Sequence, residues 1–220
     1  MTTETRRAIT PAAPSPSRVW KAPCRVDPDP FFQGSRRAQV EARTYCQACP
    51  QLEQCTKAVL EASGHSSDRW SVIAGLNPKQ RLALAWERRL RGHGPDVEVA
   101  RMLLRPVWQY RLFPLRSGGL NPDEIAESLR IEGLVTDGLT VRLAVWWLGG
   151  KGAWVTWRTR GGRVERLASE YADVMTRLRA LGATHADIAA YLGAEFSYVS
   201  RAVTLMEQSR AATGGLEAAA

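Results

Sequence analysis

Apolar positions recur at helical spacing through much of the chain, and several of these stretches carry their own start and stop signals. Ser35 stands where a cap is needed for a helix over residues 36 to 46, and Cys49-Pro50 breaks the chain after it. A second helix over 52 to 62 gathers Leu52, Cys55, Val59 and Leu60 near one face and stops at Ser63-Gly64. Asn77-Pro78 opens a third over 78 to 91, where Leu82, Leu84, Ala85 and Trp86 lie among Lys79, Arg81, Arg88, Arg89 and Arg91. Gly92 ends it. Asn121 is the cap expected for a helix over 122 to 129. The run 141 to 148 is apolar throughout and fits helix or strand. Residues 153 to 158 alternate as a short strand would, and Gly161-Gly162 closes them. A helix over 164 to 181 and a two-helix unit over 184 to 206 complete the pattern. The expected fold is mostly α: a small helical four-cysteine domain followed by a helical helix-turn-helix domain.

The same pattern divides the chain. Residues 1–17 are rich in Pro, Ala, Ser and Thr and read as a flexible tail. Residues 18–92 hold all four cysteines. Residues 93–162 form a middle segment with Trp108, Trp146, Trp147, Trp154 and Trp157 and no clear repeat. Residues 163–210 form a compact helical unit, and 211–220 a small-residue tail.

Length and composition narrow the classes. The 220 residues, 45% of them hydrophobic, can build one large domain or two to three small ones. No apolar run is long enough for a membrane span, and the first residues lack the apolar core of a signal peptide, so a cytoplasmic location is expected. A net charge of +8 favours a polyanionic partner such as nucleic acid. The positive charge is nearly all arginine, which suits bidentate phosphate contacts.

The cysteines carry the chemistry. Cys24, Cys46, Cys49 and Cys55 are spaced C-x21-C-x2-C-x5-C. The inner pair can bring two thiolates to one centre, Cys55 follows within the next helix, and Cys24 returns from outside. Thiolates suit zinc or an iron–sulfur cluster, and spacing alone leaves both open. A redox-active dithiol at Cys46 and Cys49 is the third reading. No nucleophile–His–acid arrangement is visible around His65, His93 or His185, so enzymatic activity is not expected.

The residues around the cysteines add a resemblance. Cys24-Arg25-Val26-Asp27-Pro28-Asp29-Pro30-Phe31-Phe32, then Tyr45-Cys46-Gln47-Ala48-Cys49-Pro50, Cys55, and Val72-Ile73-Ala74-Gly75-Leu76 before a basic helix, resemble the WhiB-like family of actinobacteria and their phages. The resemblance covers about residues 18–92. It implies a 4Fe–4S cluster on the four cysteines, sensitive to oxygen and nitric oxide. It also implies binding to the C-terminal DNA-binding region of the RNA polymerase primary sigma factor. The family's turn reads G-V/I-W-G-G, whereas this chain has Ser71-Val72-Ile73-Ala74-Gly75. Ile73 stands at the tryptophan position that helps form the sigma contact, and Trp70 is the nearby aromatic. Gly75 is the residue expected to supply the turn's positive φ. Phe31, Phe32, Trp70 and Ile73 are therefore the candidate partner-binding residues.

Residues 184–206 read THADIAAYLGAEFSYVSRAVTLM. Thr184 and Asp187 form a capping-box start. Small Ala189, turn residue Gly193 and apolar Val199 fit a helix-turn-helix of the kind found in many bacterial regulators. Its second helix would run from about 195 to 206, with Ser197, Tyr198, Ser200, Arg201 and Thr204 toward DNA. Residues 123 to 129 faintly echo 186 to 192, which makes the middle segment a possible degenerate copy. The expectation is a WhiB-like transcription regulator acting with a sigma factor, DNA or both. The alternatives are a thiol–disulfide oxidoreductase and a zinc-stabilised DNA-binding module.

Overall fold

A computed structural model describes residues 22–61, 71–150 and 163–217, with side chains to residue 210. The alternating segment 153–158, with Trp154 and Trp157, and the partner candidate Trp70 lie outside the described residues, as does the N-terminal tail. The described chain is helical: α1 (Pro23–Val26), α2 (Asp29–Phe32), α3 (Arg36–Ala48), α4 (Leu52–Glu61), α5 (Pro78–Arg91), α6 (Val97–Met102), α7 (Pro106–Ser117), α8 (Pro122–Ile131), α9 (Gly138–Trp147), α10 (Arg163–Glu170), α11 (Ala172–Ala180), α12 (His185–Leu192) and α13 (Phe196–Glu217). No helix among the described residues is long and apolar enough to cross a membrane.

The expected caps are in place. Ser35 Oγ accepts from the Ala38 N–H at 3.2 Å at the start of α3. Asn77 and Gln80 close a capping box on α5, Asn121 and Glu124 on α8, and Thr184 and Asp187 on α12. Gly92 and Gly193 end α5 and α12 at φ 76° and 67°. The apolar run that fitted helix or strand is α9, and it is buried at every position from Gly138 to Trp147.

Among the described residues two large apolar cores and one small cluster, Phe31 with Ala42 and Val72, result. One joins Leu52, Ala74, Leu76 and Leu84 to Val97, Leu103, Leu112, Ile125, Leu129 and most of α9, so it runs continuously across the cysteine region and the middle segment. The other joins Leu167, Met175, Leu178, Ile188, Leu192, Val199 and Val203 to Trp86. Each fully buried leucine of this kind contributes roughly 1.5–3 kcal/mol. Helix α5 serves both cores: Ala83 and Leu84 face the first, Leu82, Trp86 and Leu90 the second.

Three features depart from the pattern reading. The helix expected over 164 to 181 is split at Tyr171, whose φ and ψ of −115° and 13° are not helical. The break lets α10 lie along α13 while α11 turns to α5, where Arg177 donates to the Leu90 carbonyl at 3.0 Å. Helix α13 continues past 210 to Glu217. The α8–α9 pair keeps a helix–turn–helix outline, but α9 presents no open face to a DNA groove because all of it is buried.

Candidate metal centre

Cys46 and Cys49 sit where α3 ends. The Cys49 N–H donates to the Cys46 carbonyl at 3.1 Å, and the Cys49 carbonyl accepts from Leu52 N–H at 3.1 Å. The chain thus turns sharply from α3 into α4, and Cys55 falls in the first turn of α4, its N–H on the Gln51 carbonyl at 2.9 Å. Cys24 lies on α1, which packs on α2 and α3. Cys24 is exposed and the other three are partly buried.

The turn from Ile73 to Leu76 faces this corner. Its ends pair as an antiparallel bridge, with N–H to O distances of 3.0 and 2.9 Å. Ala74 and Gly75 have φ of 53° and 71°. Two positive φ values make a type I′ turn. Gly75 was the expected left-handed residue, yet Ala74 adopts the same region, because a type I′ turn needs positive φ at both central residues. The backbone N–H of Ala74 favours the Cys55 thiolate and that of Gly75 the Cys46 thiolate.

The electrostatics are those of a thiol cluster. Burial pushes the Cys46 thiol up to about 12, the Gly75 N–H works against it, and Cys55, Cys49 and Cys24 raise it further. Burial also raises the Cys55 thiol, opposed by the Ala74 N–H and helped by Cys24 and Cys49. Among the described residues no group of three or more His, Cys, Asp and Glu side chains stands close enough to hold a single ion. Arg43, one turn before Cys46, is half-buried; burial lowers its pKa while Cys46 supports its charge.

The partner candidates separate. Phe31 is buried with Ala42 and Val72 against Cys46, and its ring stacks on Tyr45 with centroids 6.2 Å apart. Phe32 is 58% exposed. Ile73 is half-buried at the turn. The DNA candidates also separate. Ser197, Arg201 and Thr204 are exposed along one stripe of α13. Tyr198 is half-buried under the Arg163 guanidinium, 5.5 Å from its ring, and Ser200 lies 3.3 Å from His185 Nδ1. Of the basic residues between 88 and 116, Arg88 bonds the Leu60 carbonyl, Arg89 covers Trp86, and Arg91 and Arg111 pair with Asp123 and Glu132.

Sequence reading missed Trp147 and Gln47. The Trp147 indole N–H donates to the Ala74 carbonyl at 2.8 Å, and the Gln47 amide donates to the Trp147 carbonyl. The apolar run marked Trp147 as a buried residue; nothing local marked its contact with a turn so distant in the chain.

Comparison with curated proteins and with solved structures found no match. Residues 20–84, the segment that carries all four cysteines, the I′ turn and the start of α5, match the model of a transcription-factor family, Transcription factor WhiB.

Proposed function

We propose that this chain is a WhiB-like transcription regulator whose Cys24, Cys46, Cys49 and Cys55 hold a 4Fe–4S cluster. The observation that carries the reading is the family match over residues 20–84, which holds all four cysteines, together with the I′ turn whose Ala74 and Gly75 N–H groups favour the Cys55 and Cys46 thiolates. Thiolate donors, partial burial and hydrogen bonds to sulfur are the features that hold and tune such clusters. A single zinc ion needs every sulfur within about 2.3 Å of one point. A nucleophilic dithiol needs a lowered thiol pKa. Burial moves Cys46 the other way.

When bound, the cluster supplies a redox centre that oxygen and nitric oxide can modify. The chain's own residues convert its presence into structure. Thiolates gathered at one site, three of them partly buried, repel one another unless a positive core compensates them, so binding energy at this site is also folding energy. The turn carrying Ala74 shares its core with α5, and α5 packs on α12. Helices α12 and α13, joined by a three-residue turn at Gly193, act as the helix-turn-helix, with Ser197, Arg201 and Thr204 as its outward stripe. The primary sigma factor's C-terminal region is the proposed protein partner, meeting the exposed Phe32 and the turn at Ile73. The site of action is the cytoplasm.

Oxygen-free purification followed by iron, sulfide and zinc counting tests the reading. Four irons and four sulfides per chain are expected, with visible absorbance that the Cys49→Ala variant lacks. Zinc without iron would overturn the cluster and leave the zinc-stabilised DNA-binding module.

A further inference from the structure

Trp147 lies far beyond the segment that matches the family model, which ends at residue 84. It is completely buried at the end of α9, and it touches both halves of the sulfur site. Its backbone carbonyl accepts from Gln47, which stands between Cys46 and Cys49. Its indole N–H donates to the Ala74 carbonyl at 2.8 Å. Its ring covers Gly75 so closely that a Cβ there would lie 3.0 Å from Trp147 Cδ1 and 3.5 Å from the Cys46 Cβ.

The Ala74 carbonyl and the Gly75 N–H belong to one rigid peptide unit and point in opposite directions. One end of that unit is held by Trp147 and the other faces the Cys46 sulfur. It is the central unit of the I′ turn, flanked by an alanine in the left-handed region, where a non-glycine residue costs roughly 1–2 kcal/mol. Rotation of this unit would change ψ of Ala74 and φ of Gly75 and carry the Gly75 N–H away from Cys46. The indole bond opposes that rotation.

We propose that Trp147 is a positioning residue of the sulfur site, pinning the Ala74–Gly75 peptide so that its N–H stays on Cys46 while its own carbonyl ties down the Cys46–Cys49 corner. A residue outside the matched segment thereby performs a task inside it. The proposal rests on the cluster reading only for its redox consequences; the pinned peptide itself stands without metal.

The test uses the full-length chain with Trp147→Phe, and a second form with benzothienylalanine in place of Trp147. The second keeps the bicyclic shape, and hence the fold, and lacks only the donor. One hydrogen bond lost corresponds to about three- to tenfold. Two results are expected in both forms: Gly75 amide hydrogen exchange in the metal-free protein faster by that factor, and visible absorbance of the iron-loaded protein lost in air faster by a similar factor. The reduction potential should fall, because an N–H on sulfur favours the more negative reduced state. A general loss of packing would not shift the potential of the benzothienyl form. Unchanged Gly75 exchange overturns the proposal. So does unchanged potential in an iron-loaded variant. If the wild type takes up no iron, the cluster reading fails, and the exchange measurement alone decides the role of Trp147.

Discussion

At the scale of single residues, the site depends on two backbone conformations. Ala74 occupies the left-handed region at φ 53°. Relief of roughly 1–2 kcal/mol in Ala74→Gly is offset by the roughly 0.5–1 kcal/mol entropic penalty of an added glycine and by roughly 0.8 kcal/mol for the lost buried methyl. A denaturant titration should therefore show stability within about 1 kcal/mol of the wild type, and a larger loss would mean that the methyl packs more tightly than its strain costs. Gly75→Ala should destabilise the protein, since it adds strain at φ 71° and sets a methyl 3.0 Å from Trp147. The thiols make a second prediction. In metal-free protein, iodoacetamide should label exposed Cys24 before Cys46, whose thiol burial keeps protonated. Peptide mass spectrometry gives the order, and labelling of Cys46 first would revive the dithiol reading. Cys46, Cys49 and Cys55 stood out as a group because they lie close in sequence, whereas nothing local ties Cys24 to them. The second left-handed residue was not legible, because alanine carries no local signal for it.

At the scale of elements, capping chemistry is local and was readable. Ser35, Asn77, Asn121 and Thr184 each bond within three residues of themselves, so sequence alone placed the starts of α3, α5, α8 and α12. Helix α7 shows the opposite case. It buries Leu112 inside while Val107, Tyr110 and Phe113 are exposed, so apolar residues surround it and no single face stands out. The break at Tyr171 was hidden for a related reason: no proline or glycine marks it, and only the packing of α10 and α11 on different partners demands it. The proposed DNA-reading helix α13 gives a prediction at this scale. Arg201 is exposed between Ser197 and Thr204. Arg201→Ala should weaken DNA binding and, if the contact is to phosphate, reduce the salt slope of the affinity by about 1. Fluorescence anisotropy across a salt series measures both. An unchanged affinity would make α12 and α13 a protein-binding pair.

At the scale of the whole molecule, the two cores are joined by a buried charge pair as well as by α5. Arg142, on the fully buried α9, is 1% exposed and lies 3.3 Å from a Glu87 carboxylate oxygen on α5. It also donates to the Tyr191 carbonyl on α12, and its guanidinium lies 4.7 Å from the Trp146 ring centre. Burial works against the Arg142 charge, and the Glu87 carboxylate offsets it. Arg91 extends the set to Asp123 on α8. Three regions of the chain thus meet at one carboxylate, and α9 carries both this contact and, one and a half turns later, the Trp147 contact with the sulfur turn. Pattern reading could not join these parts, because each contact spans long stretches of sequence and the charged residues look like ordinary surface. Glu87→Gln leaves Arg142 in a buried site without its carboxylate. Breaking a buried pair in this way costs about 3–5 kcal/mol, whereas replacing both members by apolar groups is often neutral. Glu87→Gln should therefore lower the unfolding free energy by about 3 kcal/mol, and the double variant Glu87→Leu, Arg142→Met should recover most of it. If Glu87 also couples the cores, the single variant should split one unfolding transition into two, as followed by tryptophan fluorescence and far-ultraviolet circular dichroism. Coincident transitions in the single variant would leave the apolar faces of α5 as the whole of the connection.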